Sequence, residues 1–209
     1  MDYQQSRAYI RDAEQYAGGA LDLTNIKEIM KRLGNPQDQL KYVHVAGTNG
    51  KGSVIAYLYT TLTNAGYHVG RYISPSVYSY REKIEVEGTP ISREQFAKHT
   101  TRVAAVIEEM TAEGLAHPTP FEIETAVAFL FFAEEKCDPV ILEVGMGGIT
   151  DATNLIRTTE LAVLVPISMD HQSFLGNTIA EIAEKKAGII KKEKGRILII
   201  DEARLKALI

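Results

Sequence analysis

The chain has 209 residues, 45% of them hydrophobic and 24% charged, with a formal net charge of −4. This is ordinary globular composition for one domain, and with no basic block neither nucleic acid nor a membrane is an expected partner. The single cysteine, Cys137, forbids an intrachain disulfide and fits a reducing cytoplasm, the expected location; no secretory leader follows Met1 and no apolar run reaches membrane-span length.

In chain order, Gln5–Tyr16 reads as a helix stopped by Gly18 and Gly19, and Leu23–Leu33 as a second, capped by Asp22 and ended by Gly34-Asn35-Pro36. Tyr42–Ala46 is a first strand, followed by a glycine-rich loop and a helix over Lys51–Asn64. Tyr67–Ile73 reads as a strand broken by Ser74-Pro75-Ser76, and Lys83–Val86 as a short strand ending at Glu87-Gly88. Ser92 caps a helix over Arg93–Glu113, and Phe121–Lys136 is a helix apolar on most sides, hence buried. Val140–Val144 and Leu161–Ile167 are continuous apolar strands, the signature of parallel strands covered on both faces. Thr178–Ile190 reads as a helix, Arg196–Ile200 as a last strand and Asp201–Ile209 as the start of a last helix. Strands alternating with helices give an α/β fold, a doubly wound and mostly parallel sheet flanked by helices.

The loop Gly47-Thr48-Asn49-Gly50-Lys51-Gly52-Ser53 carries the strongest chemical signal. A β-branched strand runs into glycines, one lysine and a hydroxyl, and a helix follows. Backbone N–H groups in such a loop form an anion nest, the lysine adds a mobile positive charge, and the helix points its positive end at the phosphates. The spacing is a variant of the common phosphate loop: Gly52 follows Lys51, and Ser53 comes one residue later.

Open parallel sheets bind ligands beyond the carboxyl ends of their strands. Lys51, Ser53, Ser74, Glu143, Asp170 and His171 all follow strand ends. Each has an ordinary reading. Ser74 alone is a turn residue before Pro75, His171 alone a loop histidine, and Lys186 alone a solvated lysine beside Lys185, Lys191 and Lys192. Glu143 is harder to dismiss, because a carboxylate ending the run Pro139-Val140-Ile141-Leu142 needs a cation or metal.

Seven segments together resemble the folylpolyglutamate synthase/dihydrofolate synthase family of the Mur ligase superfamily. They are His44–Ser53, Ser74-Pro75, Phe121–Thr125, Glu143–Gly148, Asp151–Asn154, Asp170-His171 and Lys186–Ile190, in the family's order. The resemblance implies an ATP-dependent, ADP-forming ligase. It would join L-glutamate to a folate or dihydropteroate carboxylate through an acyl phosphate, with ATP and Mg²⁺ as cofactors. Gly47, Thr48, Asn49, Gly50, Lys51, Gly52 and Ser53 would hold phosphates. Ser74 and Glu143 would bind one Mg²⁺, and His171 and Lys186 would serve a second, Lys186 matching the family's carbamylated lysine. Lys51, Glu143, His171 and Lys186 would carry the chemistry, and Phe121 and Asp151 would face the pterin of a folate-type substrate.

Three places depart from the family pattern: Ser76 replaces a histidine, Arg81-Glu82-Lys83-Ile84 an Asn-Glu-Arg-Ile segment, and Ile149 an arginine. These concern substrate contacts. The resemblance further implies that residues 1–209 are an incomplete N-terminal ATP-binding domain, whose C-terminal partner domain is missing and whose turnover alone is poor. A Mur ligase acting on a UDP-linked substrate and a non-catalytic nucleotide-binding module remain as alternatives.

Overall fold

The computed structural model describes residues 1–17, 22–191 and 195–200. Among these, seven strands form one sheet: β1 (Tyr42–Ala46), β2 (Gly70–Tyr72), β3 (Ile84–Val86), β4 (Thr89–Pro90), β5 (Val140–Glu143), β6 (Thr159–Leu164) and β7 (Arg196–Ile199). Their order is β4-β3-β2-β5-β1-β6-β7. The five strands from β2 to β7 are parallel, while β3 and β4 add an antiparallel edge. That edge turns through Glu87 (φ 48°) and Gly88 (φ 80°), the paired left-handed conformations that suit a two-residue hairpin turn.

The alternation of the central strands divides the core. Tyr42, Tyr72, Val140 and Leu142 face a thick helical layer built from α1 (Tyr3–Asp12), α2 (Thr24–Arg32), α4 (Arg93–Ala112) and α5 (Pro120–Glu135). Val43, Val45, Ile141 and Val163 face α3 (Lys51–Asn64), which packs through Ile55 and Tyr59. Two short helices, α6 (Gln172–Leu175) and α7 (Ile179–Ala187), complete the described part. Capping boxes start α1 (Asp2 with Gln5), α4 (Ser92 with Gln95), α5 (Thr119 with Glu122) and α7 (Thr178 with Glu181). Each satisfies helix-end N–H groups, an effect of about 1 kcal/mol per cap. α5 is buried from Glu122 to Phe132, as its apolar sequence requires.

The α/β reading holds, with three revisions. The strand expected over Tyr67–Ile73 shrinks to Gly70–Tyr72: the Tyr67 N–H closes the end of α3 on the Leu62 carbonyl, and His68 makes only an isolated bridge to Asp138. The strand expected over Leu161–Ile167 is shifted to Thr159–Leu164, since Pro166 has no N–H to extend a ladder. The hairpin partner β4 carried no recognisable run, being two residues long and containing a proline. The Gly18-Gly19 stop and the helix expected over Asp201–Ile209 lie outside the described residues.

Candidate nucleotide site and adjoining cleft

The phosphate loop follows β1 and is fixed from beneath. Gly47 has φ +149°, and a Cβ there would stand 2.2 Å from Val165 Cγ2 and 2.7 Å from the Val165 carbonyl oxygen, so only glycine fits. The Thr48 N–H donates to the Pro166 carbonyl at 2.9 Å, and the Thr48 hydroxyl accepts from the Ser168 N–H at 3.1 Å. The loop is thus bonded to the segment leaving β6. Gly50, at φ +89°, precedes the first turn of α3, and no side chain caps that turn. Its N–H groups have no intrahelical acceptor and face outward with the positive end of the helix.

Lys51 bends back over the loop. Its Nζ donates to the carbonyls of Gly47 (3.3 Å) and Thr48 (3.4 Å) and lies 3.8 Å from Glu143 Oε1. Glu143 ends β5 and accepts the Ser74 N–H at 3.1 Å. Burial pushes its carboxyl above the ordinary carboxylate value, against the pull of the Ser74 N–H and the Lys51 charge. Three neighbouring strand ends therefore meet in one small charged cluster.

Lys186 departs most from its ordinary reading. It is 3% exposed, and its Nζ donates to the Gly47 carbonyl at 2.9 Å. Burial lowers its pKa, and the nearby Lys51 charge lowers it further. Two glycines make the burial possible. A Cβ on Gly148 would stand 2.6 Å from the Lys185 carbonyl oxygen, and one on Gly188 2.1 Å from Ile149 Cγ1. The end of α7 therefore lies directly on the 147–149 loop, which carries Lys186 under the phosphate loop.

Next to this cluster opens a cleft of about 370 Å³, lined by Ser74, Phe121, Gly145, Met146, Ile149 and Asp151 among others. Phe121 stacks on Tyr72 with ring centroids 6.1 Å apart, and its ring closes against the Gly145 backbone. Asp151 is buried; its carboxylate accepts the N–H groups of Met146 (2.8 Å) and Thr153 (3.0 Å) and the Thr153 hydroxyl. That hydroxyl contacts His44 Nε2 at 2.8 Å. Burial depresses the His44 pKa to about 3, so its ring is neutral, with Nε2 the donor to a hydroxyl already given to Asp151. This buried His44–Thr153–Asp151 chain had no local sequence signal, because His44 lies more than 100 residues from the other two.

Lys51, Ser74 and Glu143 come together as expected, and Phe121 and Asp151 share the adjoining cleft. His171 makes no hydrogen bond or ion pair with Lys51, Ser74 or Glu143. It is half-exposed at φ 45°, its Nε2 lies 3.6 Å from Asp170, and it starts the short helix whose Phe174 and Leu175 reach the cleft. Ile149, at the place of the family's arginine, packs on Gly188 at the cleft wall. Ser76 carries no contact the site uses.

A family profile described as the Mur ligase middle domain matches residues 45–208. The chain belongs to that family. The dihydrofolate synthase/folylpolyglutamate synthase of Bacillus subtilis (strain 168) is 44% identical over 191 residues, covering 91% of this chain and 44% of that protein. The folylpolyglutamate synthase of Lacticaseibacillus casei is 38% identical over 193 residues, covering 92% of this chain and 45% of that protein. Among solved structures, one titled FPGS-AMPPCP-folate complex superimposes with a TM-score of 0.87 at 35% identity, over 98% of this chain and 50% of that one. The chain thus spans less than half the length of the two relatives. No described helix is long and apolar enough to cross a membrane.

Proposed function

We propose that this chain is the nucleotide- and folate-binding part of an ATP-dependent, ADP-forming ligase. The enzyme adds L-glutamate to a folate or dihydropteroate carboxylate through an acyl phosphate. The observation that carries this reading is the contact cluster of Lys51, Glu143 and Ser74 at the mouth of a free helix N-terminus. The similarity to proteins named dihydrofolate synthase and folylpolyglutamate synthase supplies the substrate class. The relatives' greater length supports reading residues 1–209 as an N-terminal portion, with glutamate handled by a C-terminal domain. The cytoplasm remains the proposed location.

Mg²⁺ fits the residues present. It takes hard oxygen ligands and completes its shell with substrate phosphates and water. Glu143 offers a buried carboxylate whose nearest cation is 3.8 Å away, and Ser74, whose N–H it accepts, carries the hydroxyl that would join it. Among the described residues no group of three His, Cys, Asp or Glu converges, which suits an ion held largely by phosphate oxygens. When bound, Mg²⁺ would neutralise charge developing on the transferred phosphoryl group.

The chain's own groups do the rest. The N–H groups of Gly50, Lys51, Gly52 and Ser53 bind phosphate oxygens, and Lys51 follows the charge as it moves toward the leaving ADP. The largely apolar cleft beside Phe121 holds a ring system and aims its carboxylate at the phosphate loop. Its aromatic and apolar wall suits a pterin better than a UDP-linked sugar, whose diphosphate would meet a single lysine, Lys185, there. A lysine with a lowered pKa gives up its proton readily, and the freed amine can take up CO₂ as a carbamate. Lys186 would then become an anionic oxygen ligand, with His171 serving the same second ion.

The reading is tested by product identification. With MgATP, L-glutamate and dihydropteroate or a folate, a ligase releases ADP and an amide of matching mass. A kinase would give a phosphorylated acceptor. Calorimetry with Mg²⁺ and AMPPCP, beside Lys51→Ala, reads the site without turnover. Binding about 10- to 100-fold weaker is expected in the variant, and no binding by folded wild-type chain would sink the proposal.

A further inference from the structure

Lys186 reaches the Gly47 carbonyl from the very end of a helix, since α7 stops at Ala187. The two bonds that close the turn around it are long: the Gly188 N–H donates to the Lys185 carbonyl at 3.3 Å, and the Ile189 N–H to the Lys186 carbonyl at 3.4 Å. A helix terminus of this kind frays unless another group holds it. The side chain that holds it is Asn154, which is 7% exposed in the single turn Ala152–Leu155. Its Nδ2 donates to the Ile149 carbonyl at 3.3 Å and to the Gly188 carbonyl at 3.1 Å. Its Oδ1 accepts from Lys191 Nζ at 2.7 Å, and Lys191 also donates to the Asn154 carbonyl at 3.0 Å.

An ammonium cannot accept and a carbonyl cannot donate, so these partners fix which end of the amide is which. The Asn154 N–H donates to the Asp151 carbonyl at 2.8 Å, which anchors the turn that carries it. The Ile149 N–H donates to the Lys185 carbonyl at 3.0 Å, so the two carbonyls that share the Asn154 amide lie on either side of the Lys185-Lys186 pair. One side chain thus ties the 147–149 loop to the residue that follows α7. Few side chains could replace it. Aspartate would satisfy Lys191 but set a carboxylate against two carbonyl oxygens, and leucine would keep the volume while leaving all three partners unpaired.

We propose that Asn154 is a positioning residue: its amide holds the end of α7 on the 147–149 loop and so keeps Lys186 Nζ on the Gly47 carbonyl, beneath the phosphate loop. Asn154 touches neither nucleotide nor metal and acts only through Lys186. That this placement serves the nucleotide rests on the ligase reading; the placement itself does not.

Hydrogen exchange of the full chain, read by mass spectrometry, follows the placement, and calorimetry with Mg²⁺ and AMPPCP follows its use. Asn154→Asp is expected to speed exchange at least about tenfold in residues 145–150 and 185–190 while leaving α4 unchanged. It should also weaken Mg²⁺–AMPPCP about tenfold, the loss of roughly one charge-assisted contact. Lys186→Met should weaken it by a similar factor. Asn154→Asp/Lys186→Met should bind within about twofold of Lys186→Met alone, because both changes remove the same contact. A merely structural Asn154 would lower stability and leave the affinity of the folded chain unchanged, or would add its loss to that of Lys186→Met. Circular dichroism checks folding, and Asn154→Ala repeats the series without a buried carboxylate should Asn154→Asp not fold. Unchanged exchange in both segments, unchanged affinity, or additive losses in the double variant would overturn the positioning role. Wild-type chain that binds no AMPPCP would sink the ligase reading instead, and the exchange data would then decide the placement alone.

Discussion

At the carboxyl ends of the strands, charged groups are buried and held. Glu143 accepts the Ser74 N–H beside Lys51, and Lys186 is bonded to the Gly47 carbonyl. Toward the amino ends, Lys27 and Arg157 stand at the surface without ion-pair partners among the described residues. The first arrangement costs desolvation energy that folding must offset, and a phosphate or metal would replace weak partners with strong ones. The second costs little to fold, because exposed charges keep their hydration. One edge therefore carries a desolvation cost that a bound ligand would offset, and the other carries none. Substitutions that separate folding from binding should expose the difference.

The largest effect is expected at Gly47. Its φ of +149° and the 2.2 Å and 2.7 Å approaches of Val165 leave an added methyl nowhere to go. The Gly47→Ala variant should lose about 3 kcal/mol or more of unfolding free energy, since backbone strain and overpacking add. Urea unfolding measures this, and a loss under about 1 kcal/mol would mean the loop does not lie on the end of β6 as described.

Much of this edge was readable because its residues are contiguous. The strand-loop-helix of residues 42–64 and the apolar run ending at Glu143 each carry their meaning locally. What was not readable depends on packing between distant segments. Lys186 looks solvated among neighbouring lysines, and it is buried only because Gly148 and Gly188 admit the end of α7. The His44–Thr153–Asp151 chain and the bonds of Asn154 join residues that only the fold brings together. β6 ended early for a chemical reason: Pro166 turns its carbonyl to the phosphate loop, and the same contact fixes the loop.

The next effect is one of pH. Burial depresses His44 to about 3 and His99 to about 4. Unfolded histidine titrates near 6.5, so below that pH the unfolded state binds protons that the native state refuses. Stability should therefore be full above about pH 6.5 and fall with acid by about 1.4 kcal/mol per pH unit for each histidine, until the folded values are reached. The raised carboxyls of Glu143 and Asp151 oppose this only nearer the carboxylate range. Denaturant midpoints at several pH values between about 6.5 and 5 give the slope, and His99→Gln should halve it. An unchanged slope in that variant would show that His99 is not buried neutral.

Smaller again are the binding effects at the charged cluster. Lys51→Ala should weaken Mg²⁺–AMPPCP by about 10- to 100-fold, the value of one charge-assisted contact. Glu143→Gln should cost less in nucleotide affinity without Mg²⁺ and remove most of the gain that Mg²⁺ brings. Titrations with and without the ion separate the two. Equal Mg²⁺ dependence in wild type and Glu143→Gln would place the ion elsewhere.

The finest test contrasts Gly50 and Gly52. Neither would place a Cβ within 4 Å of another group, but Gly50 sits at φ +89° and Gly52 has no positive φ. Gly50→Ala should therefore lose about 1 kcal/mol of stability from backbone strain alone. Gly52→Ala lies in the first turn of α3, where alanine suits the helix, and should move stability by less than about 0.5 kcal/mol. Its methyl would nonetheless stand in the open space over the helix N-terminus that the phosphates need. A folded, equally stable Gly52→Ala variant with weakened AMPPCP binding would show that this glycine is kept for the ligand. Unchanged affinity would move the phosphates away from that turn of α3 and toward the loop N–H groups that precede it.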